Sequence, residues 1–229
     1  MAKLTCTTIP DSVTSVTIPD SVTSIGWGAF EACTNLTSVK IPSSVTRIGD
    51  GAFYGCSSLE SIIIPDGVTS IGGGAFEDCT NLTSVAIPDS VTSIGGSAFK
   101  GCSSLKSVTI PDSVTSLGAH AFYECDKLTS IVIPDSVTSI GEKAFLGCSS
   151  LARVTLGNSV TRIKEKLFYN CSSITSVTIP DSVTYIGDYA FCGCRSLKSV
   201  TLPKRMEGIG VWAFDGCPNL TIRRRATAA

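Results

Sequence analysis

The chain is short of the groups that most enzymes and nucleic-acid readers depend on. It has one histidine, His120, in 229 residues. A cysteine–histidine nucleophile pair would have to join that imidazole to Cys125, a thiol that belongs to a periodic apolar pattern, so catalysis is not expected. The net charge is −1, which gives no overall attraction to nucleic acid or to an anionic membrane. No apolar run approaches the roughly 20 residues of a membrane-spanning helix. Met1-Ala2-Lys3-Leu4-Thr5-Cys6 lacks the apolar stretch of a secretory leader, so either an intracellular chain or one that starts after a removed leader is expected. Although glycine is plentiful, no glycine-rich loop leads from a strand into a long helix, so no phosphate cradle or bound cofactor is expected.

What the chain does have is one unit repeated along its length. Phe recurs at 30, 53, 76, 99, 122, 145, 168, 191 and 214, and Cys at 33, 56, 79, 102, 125, 148, 171, 194 and 217. Leu36, Leu59, Leu82, Leu105, Leu128, Leu151, Ile174, Leu197 and Leu220 keep the same step of 23 residues. A fixed period of this kind marks a solenoid, in which each unit buries its apolar face only against its neighbours.

The unit reads in three parts. In L-x-x-V-x-I, as in Leu36 to Ile41, Val39 and Ile41 alternate with Lys40, which is the period of a half-buried strand. Pro42, Pro65, Pro88, Pro111, Pro134, Pro180 and Pro203 then end the strand, because proline has no N–H for a ladder. Asp-Ser-Val-Thr-Ser-Ile-Gly follows, as in Asp89 to Gly95, a turn with Val91 and Ile94 as inward anchors on the return path. Last comes Ala-Phe-x-x-Cys, as in Ala98 to Cys102. Its i, i+3 and i, i+4 spacings predict one helical turn whose phenylalanines stack as an internal column.

The ends and one internal unit depart from this pattern. Residues 1–12 form an atypical start, 13–222 a nine-unit solenoid, and 223–229 a basic tail ending in a frayed segment from Ala226 to Ala229. Arg223, Arg224 and Arg225 are expected to cap the terminal strand against edge-to-edge association. In the unit around Gly157-Asn158, Lys164 replaces a Gly present at 26, 49, 72, 95, 118, 141, 187 and 210. Leu167 replaces the usual Ala there, and better helix formers predict a longer helical turn with a change in curvature. Lys164 also indicates that the Gly position does not require a positive φ.

The ladder cysteines are expected to be buried free thiols, since parallel stacking points equivalent side chains the same way. Cys6 and Cys192 lie off the ladder and are expected to be more exposed. Asp20, Asp66, Asp89, Asp112, Asp135 and Asp181 form a second ladder, read as turn caps rather than a calcium site because Ser43, Asn158 and Lys204 interrupt it. Asn35, Asn81, Asn170 and Asn219 lie in N-x-S/T sequons, which matter only in a glycosylating pathway. Lys204, Arg205 and the three terminal arginines read as a solubilising cap.

The pattern L-x-x-V-x-I-P-x-x-V-x-x-I-G-x-x-A-F-x-x-C-x-x, carried from about Val13 to Leu220, resembles the leucine-rich repeats of BspA-like surface proteins. The resemblance implies a right-handed leucine-rich repeat solenoid with a parallel concave β-sheet and short helical or irregular convex turns. It also implies binding or adhesion to another protein rather than catalysis, with a cell-surface or secreted location. The alternative is a structural subunit or scaffold inside a larger assembly. On the sheet, the outward stripe Thr17, Lys40, Ile63, Ala86, Thr109, Val132, Thr155, Thr178 and Thr201 is the candidate binding surface, together with Arg153 from the serine stripe beside it. Lys40, Ile63, Val132 and Arg153 are its distinguishing features.

Overall fold

The computed structural model describes residues 12–225, so the expectations for residues 1–11, for Cys6 and for Ala226 to Ala229 fall outside the described residues. Each coil of the chain carries two short strands. On the first face these are Ser15–Thr17, Ser38–Lys40, Ser61–Ile63, Ser84–Ala86, Ser107–Val108, Ser130–Val132, Arg153–Thr155, Ser176–Thr178, Ser199–Leu202 and Thr221–Arg224. On the second face they are Ser24–Ile25, Arg47–Ile48, Ser70–Ile71, Ser93–Ile94, Ser116–Leu117, Ser139–Ile140, Arg162–Ile163, Tyr185–Ile186 and Gly208–Ile209. The pairing is parallel and joins equivalent residues one repeat apart, as in Val16 with Val39 and Ile71 with Ile94, except that Thr221–Arg224 is shifted by one residue. The first face is broken after Ser38–Lys40, Ser107–Val108 and Arg153–Thr155. The chain is a leucine-rich repeat solenoid, but with two β faces where one sheet was expected.

Alternation explains the first face. In Ser38–Lys40 the outer residues are exposed and Val39 is buried, and Ser84–Ala86 repeats the arrangement. The proline turn that follows is closed by backbone: Val91 N–H donates to Pro88 C=O at 3.1 Å and Val114 N–H to Pro111 C=O at 3.0 Å. The turn serine reaches to the previous coil, Ser90 Oγ donating to Val68 C=O and Ser113 Oγ to Val91 C=O, both at 2.7 Å. Serine hydroxyls and backbone thus hold this corner, while the ladder aspartates stand exposed beside it.

The Ala-Phe-x-x-Cys segment does not form the expected helical turn, and no helix occurs among the described residues. Its peptides alternate between two kinds of partner. Ala98, Lys100 and Cys102 donate N–H to the residue three before them, at 3.0–3.3 Å. Ser97, Phe99 and Gly101 donate instead to Ala119, Ala121 and Tyr123 of the next coil, each at 2.8 Å. An α-helix directs every N–H along its own axis; here every second one is turned outward to a neighbour. The backbone manages this by entering the left-handed region twice per coil, at Gly51 and Gly55, at Ser97 and Gly101, at Lys143 and Gly147. Non-glycine residues at such φ cost about 1–2 kcal/mol each, and the inter-coil bonds hold them there. The longer helix expected around Lys164 to Leu167 is absent for the same reason: Lys166 N–H donates to Asp188 C=O and Phe168 N–H to Ala190 C=O.

That unit does interrupt the ladder. On the second face, six strands from Ser24–Ile25 to Ser139–Ile140 are continuous, and three more from Arg162–Ile163 to Gly208–Ile209 form a separate ladder. The break falls where Lys164 replaces the repeated glycine. Those glycines are not at positive φ; from Gly49 onwards they are needed because the preceding coil lies close by. A Cβ on Gly95 would lie 2.6 Å from Gly72 C and Gly73 N.

The core is one continuous apolar cluster running through the coils. Successive phenylalanine rings from Phe30 to Phe214 lie 5.0–5.6 Å apart with interplanar angles of 0–20°. The largest tilt, 20°, is between Phe168 and Phe191, beside the irregular unit. Each thiol from Cys56 to Cys217 donates to the phenylalanine carbonyl of the coil before it, at 3.0–3.2 Å. Burial pushes Cys56 and Cys148 up to about 12 and drives Cys125 and Cys171 well above the ordinary thiol value. Cys33 departs from the expectation, being disulfide-bonded; the bond does not run along the ladder, because Cys56 on the next rung is free. At the other end, Arg223 and Arg224 lie within the last strand and not in a tail, in register with Thr201 and Leu202.

Candidate functional site

The parallel register sets the expected stripe in one line. Thr17 stands across from Lys40, Ile63 from Ala86, Val132 from Thr155 and Thr178 from Thr201. Thr109 continues the line just after Ser107–Val108, and Arg153 faces Ser130 one step aside on the same surface. All ten side chains are exposed or, for Thr201, half-exposed. Ile63 is 75% exposed and Val132 60%, so the two aliphatic members present nearly their whole surface to solvent. Beside the line, serines contact one another across coils, Ser38 Oγ donating to Ser15 Oγ at 3.0 Å. The stripe is chemically mild, and its strand-borne positions are set by the parallel register.

A second surface, on the turn face, was not singled out from the sequence. Ser97, Lys100, His120, Tyr123, Glu124, Lys143, Leu146, Lys166, Tyr169 and Asn170 line a groove of about 700 Å³. They fall in columns: 97, 120, 143 and 166 are equivalent positions in successive coils, as are 100, 123, 146 and 169. Counting equivalent positions side by side would have exposed the groove, because the first column holds glycine at 28, 51 and 74 and larger residues afterwards. From Ser97 onwards those residues keep the left-handed φ that glycine has in the earlier coils: His120 at 59°, Lys143 at 57° and Lys166 at 53°.

Local pairs order the groove. Lys100 Nζ lies 2.8 Å from Glu77 Oε1 and 5.9 Å from the Tyr123 ring centroid. Lys166 Nζ lies 2.8 Å from Glu165 Oε1 and 5.2 Å from the Tyr189 ring. The imidazole of His120 sits 5.7 Å from the Tyr123 ring at 49°. Burial, then Lys143 and Lys100, lower its pKa, which favours the neutral imidazole with one donor and one acceptor. Cys125 is no nucleophile for it: the thiol is buried, held neutral and bonded to Phe99 C=O. Among the described residues, no three histidine, cysteine or acidic side chains gather as a metal cluster, and no helix is long and apolar enough to cross a membrane.

Comparison with known proteins places the repeat. The model of the BspA type leucine rich repeat region matches residues 8–129 and 115–224. No curated protein matches the chain. Among solved structures, a leucine rich repeat protein of T. pallidum is 30% identical, with 91% of this chain and 78% of that one covered and a TM-score of 0.59. A leucine-rich repeat protein from Eubacterium ventriosum is 23% identical, covering 96% and 85% of the two chains at a TM-score of 0.52, a likeness of fold. A leucine rich cell surface protein from Faecalibacterium prausnitzii is 30% identical over 94% and 80% of the chains, with a TM-score of 0.45. With the phenylalanine and cysteine ladders matching this repeat over nearly the whole described length, the chain belongs to the BspA-type leucine-rich repeat family.

Proposed function

We propose that the chain is a non-catalytic protein-binding module of adhesin type, and that its partner docks along the outward stripe of the first β face. The observation that carries this reading is a contrast between inside and outside. Core positions repeat almost unchanged from coil to coil, while the stripe runs Thr17, Lys40, Ile63, Ala86, Thr109, Val132, Thr155, Thr178, Thr201 in fixed register. Packing constrains the first set, while the second is free of it and so is available to suit a partner. Strand-borne side chains are also held more precisely than loop-borne ones, and so lose less freedom when a partner orders them.

The test uses the immobilised chain to capture proteins from surface-labelled cells and, separately, from cytosolic lysate. Ala86→Arg and Thr109→Arg, at exposed positions, are expected to leave folding intact and to reduce the captured protein by about tenfold or more, the usual consequence of a charge forced into a contact. Capture that is indifferent to both substitutions would remove the stripe from consideration. Capture only from cytosolic lysate would favour a scaffold role over adhesion.

A further inference from the structure

We propose that the turn-face groove binds an acidic saccharide, its rings lying along Tyr123, Leu146 and Tyr169 and its carboxylate on Lys143. This site is separate from the strand stripe and does not depend on protein docking there.

Three observations converge. The first is charge. Three lysines and one carboxylate, Glu124, line the groove, in a chain whose net charge is −1. Lys100 and Lys166 are tied to Glu77 and Glu165. Lys143 lies between His120 and Lys166 in the same column and takes part in none of the ion pairs found among the described residues. It is the cation left for an external anion.

The second is surface chemistry. Tyr123, Leu146 and Tyr169 occupy one column, two phenol rings with an aliphatic side chain between them, all half-buried. Apolar ring faces flanked by hydroxyls, an amide and a neutral imidazole suit an amphipathic ring that is apolar on its faces and hydroxylated at its edge. The stacked coils repeat each column about every 5 Å, close to the advance per ring along an extended saccharide chain, so the two tyrosines span about one disaccharide. At about 700 Å³ the groove is within the range that holds a ligand of a few rings.

The third is position. The column of Lys143 holds glycine in the first three coils, at Gly28, Gly51 and Gly74, with φ of 55–59°. His120, Lys143 and Lys166 keep that conformation without glycine's freedom. The left-handed turn recurs in every coil, but in this column only the groove positions His120, Lys143 and Lys166 carry basic or imidazole side chains on it.

Titration calorimetry with trigalacturonate, a hyaluronan tetrasaccharide and sialyllactose tests the proposal. At least one is expected to bind saturably. Its methyl ester, which keeps the rings and removes the charge, is expected to bind about tenfold more weakly, as is the acid itself to Lys143→Gln. Tyr169→Ala is expected to weaken binding several-fold, Lys143→Arg to restore most of it and Lys198→Gln, in another column, to leave it unchanged. Failure of all three saccharides, binding indifferent to esterification, or an equal response to inorganic sulfate alone overturns the proposal. The ester comparison uses the unmodified chain, so it decides even if a variant fails to fold.

Discussion

At the residue scale, the repeated cysteine is a structural hydrogen-bond donor. Its thiol fills the space beside the phenylalanine column and donates to the preceding phenylalanine carbonyl. Two outcomes follow. Native labelling with a thiol reagent near pH 8 is expected to reach Cys192 and Cys217, which are half-exposed, while the seven buried free thiols react only after unfolding. Mass mapping of labelled peptides checks this; rapid native labelling of Cys102 or Cys125 would contradict it. The same burial sets a pH limit. These thiols stay protonated in the fold up to about 12 for Cys56 and Cys148, against an ordinary value of 9.0. The folded state therefore holds its protons more tightly than the unfolded chain. Their contribution is complete below pH 9 and is lost as pH rises towards 12. Melting temperature is expected to fall across that window, and Cys148→Ala to shrink the fall; a flat alkaline profile would count against buried protonated thiols.

At the element scale, glycine works in two different ways. At Gly51 and Gly55 it eases a left-handed φ, whereas at Gly95 it makes room for the preceding coil at Gly72 and Gly73. Gly95→Ala would set a Cβ 2.6 Å from Gly72 C and is expected to destabilise by about 2 kcal/mol or more, an overpacking cost. Gly73→Ala meets nothing nearer than Gly96 O at 3.4 Å and is expected to change stability by about 0.5 kcal/mol or less. Urea denaturation of the two variants measures the contrast; equal effects would mean the close crossing is not real. The strands, the corner prolines and the inward-pointing Val91 and Ile94 were legible in the sequence, because alternation and proline chemistry act locally. The Ala-Phe-x-x-Cys turn was not. Its i, i+3 and i, i+4 apolar pattern suits a helix, but half its N–H groups bond to residues 22 positions later, and no local pattern reports that. Lys164 did point correctly to a position without positive φ. The groove escaped for a related reason, being made of residues that meet only when coils are stacked in register.

At the scale of the whole molecule, the solenoid is a one-dimensional stack in which each coil contacts only its neighbours. Interior coils lose water from both faces, and terminal coils from one. The last coil shows the consequence: Ile209 and Ile222 are exposed, whereas their counterparts in interior coils, Ile94 and Val108, are buried. Arg225 reaches back across two repeats to Asp181 at 2.6 Å, an exposed pair that adds little. Hydrogen exchange is expected to begin at the ends and move inwards, with the amide of Phe122 slower than that of Leu220, because local opening is cheapest where fewest contacts break.

The central claim is that stacking on both sides stabilises each coil, and truncating the same residue in an interior and a terminal coil tests it most directly. Phe122 is fully buried between Phe99 and Phe145, while Phe214 is half-buried with a described ring partner only in Phe191. Equilibrium urea unfolding is expected to show Phe122→Ala losing about 3–5 kcal/mol and Phe214→Ala about half of that or less. Equal losses at the two positions would contradict the account.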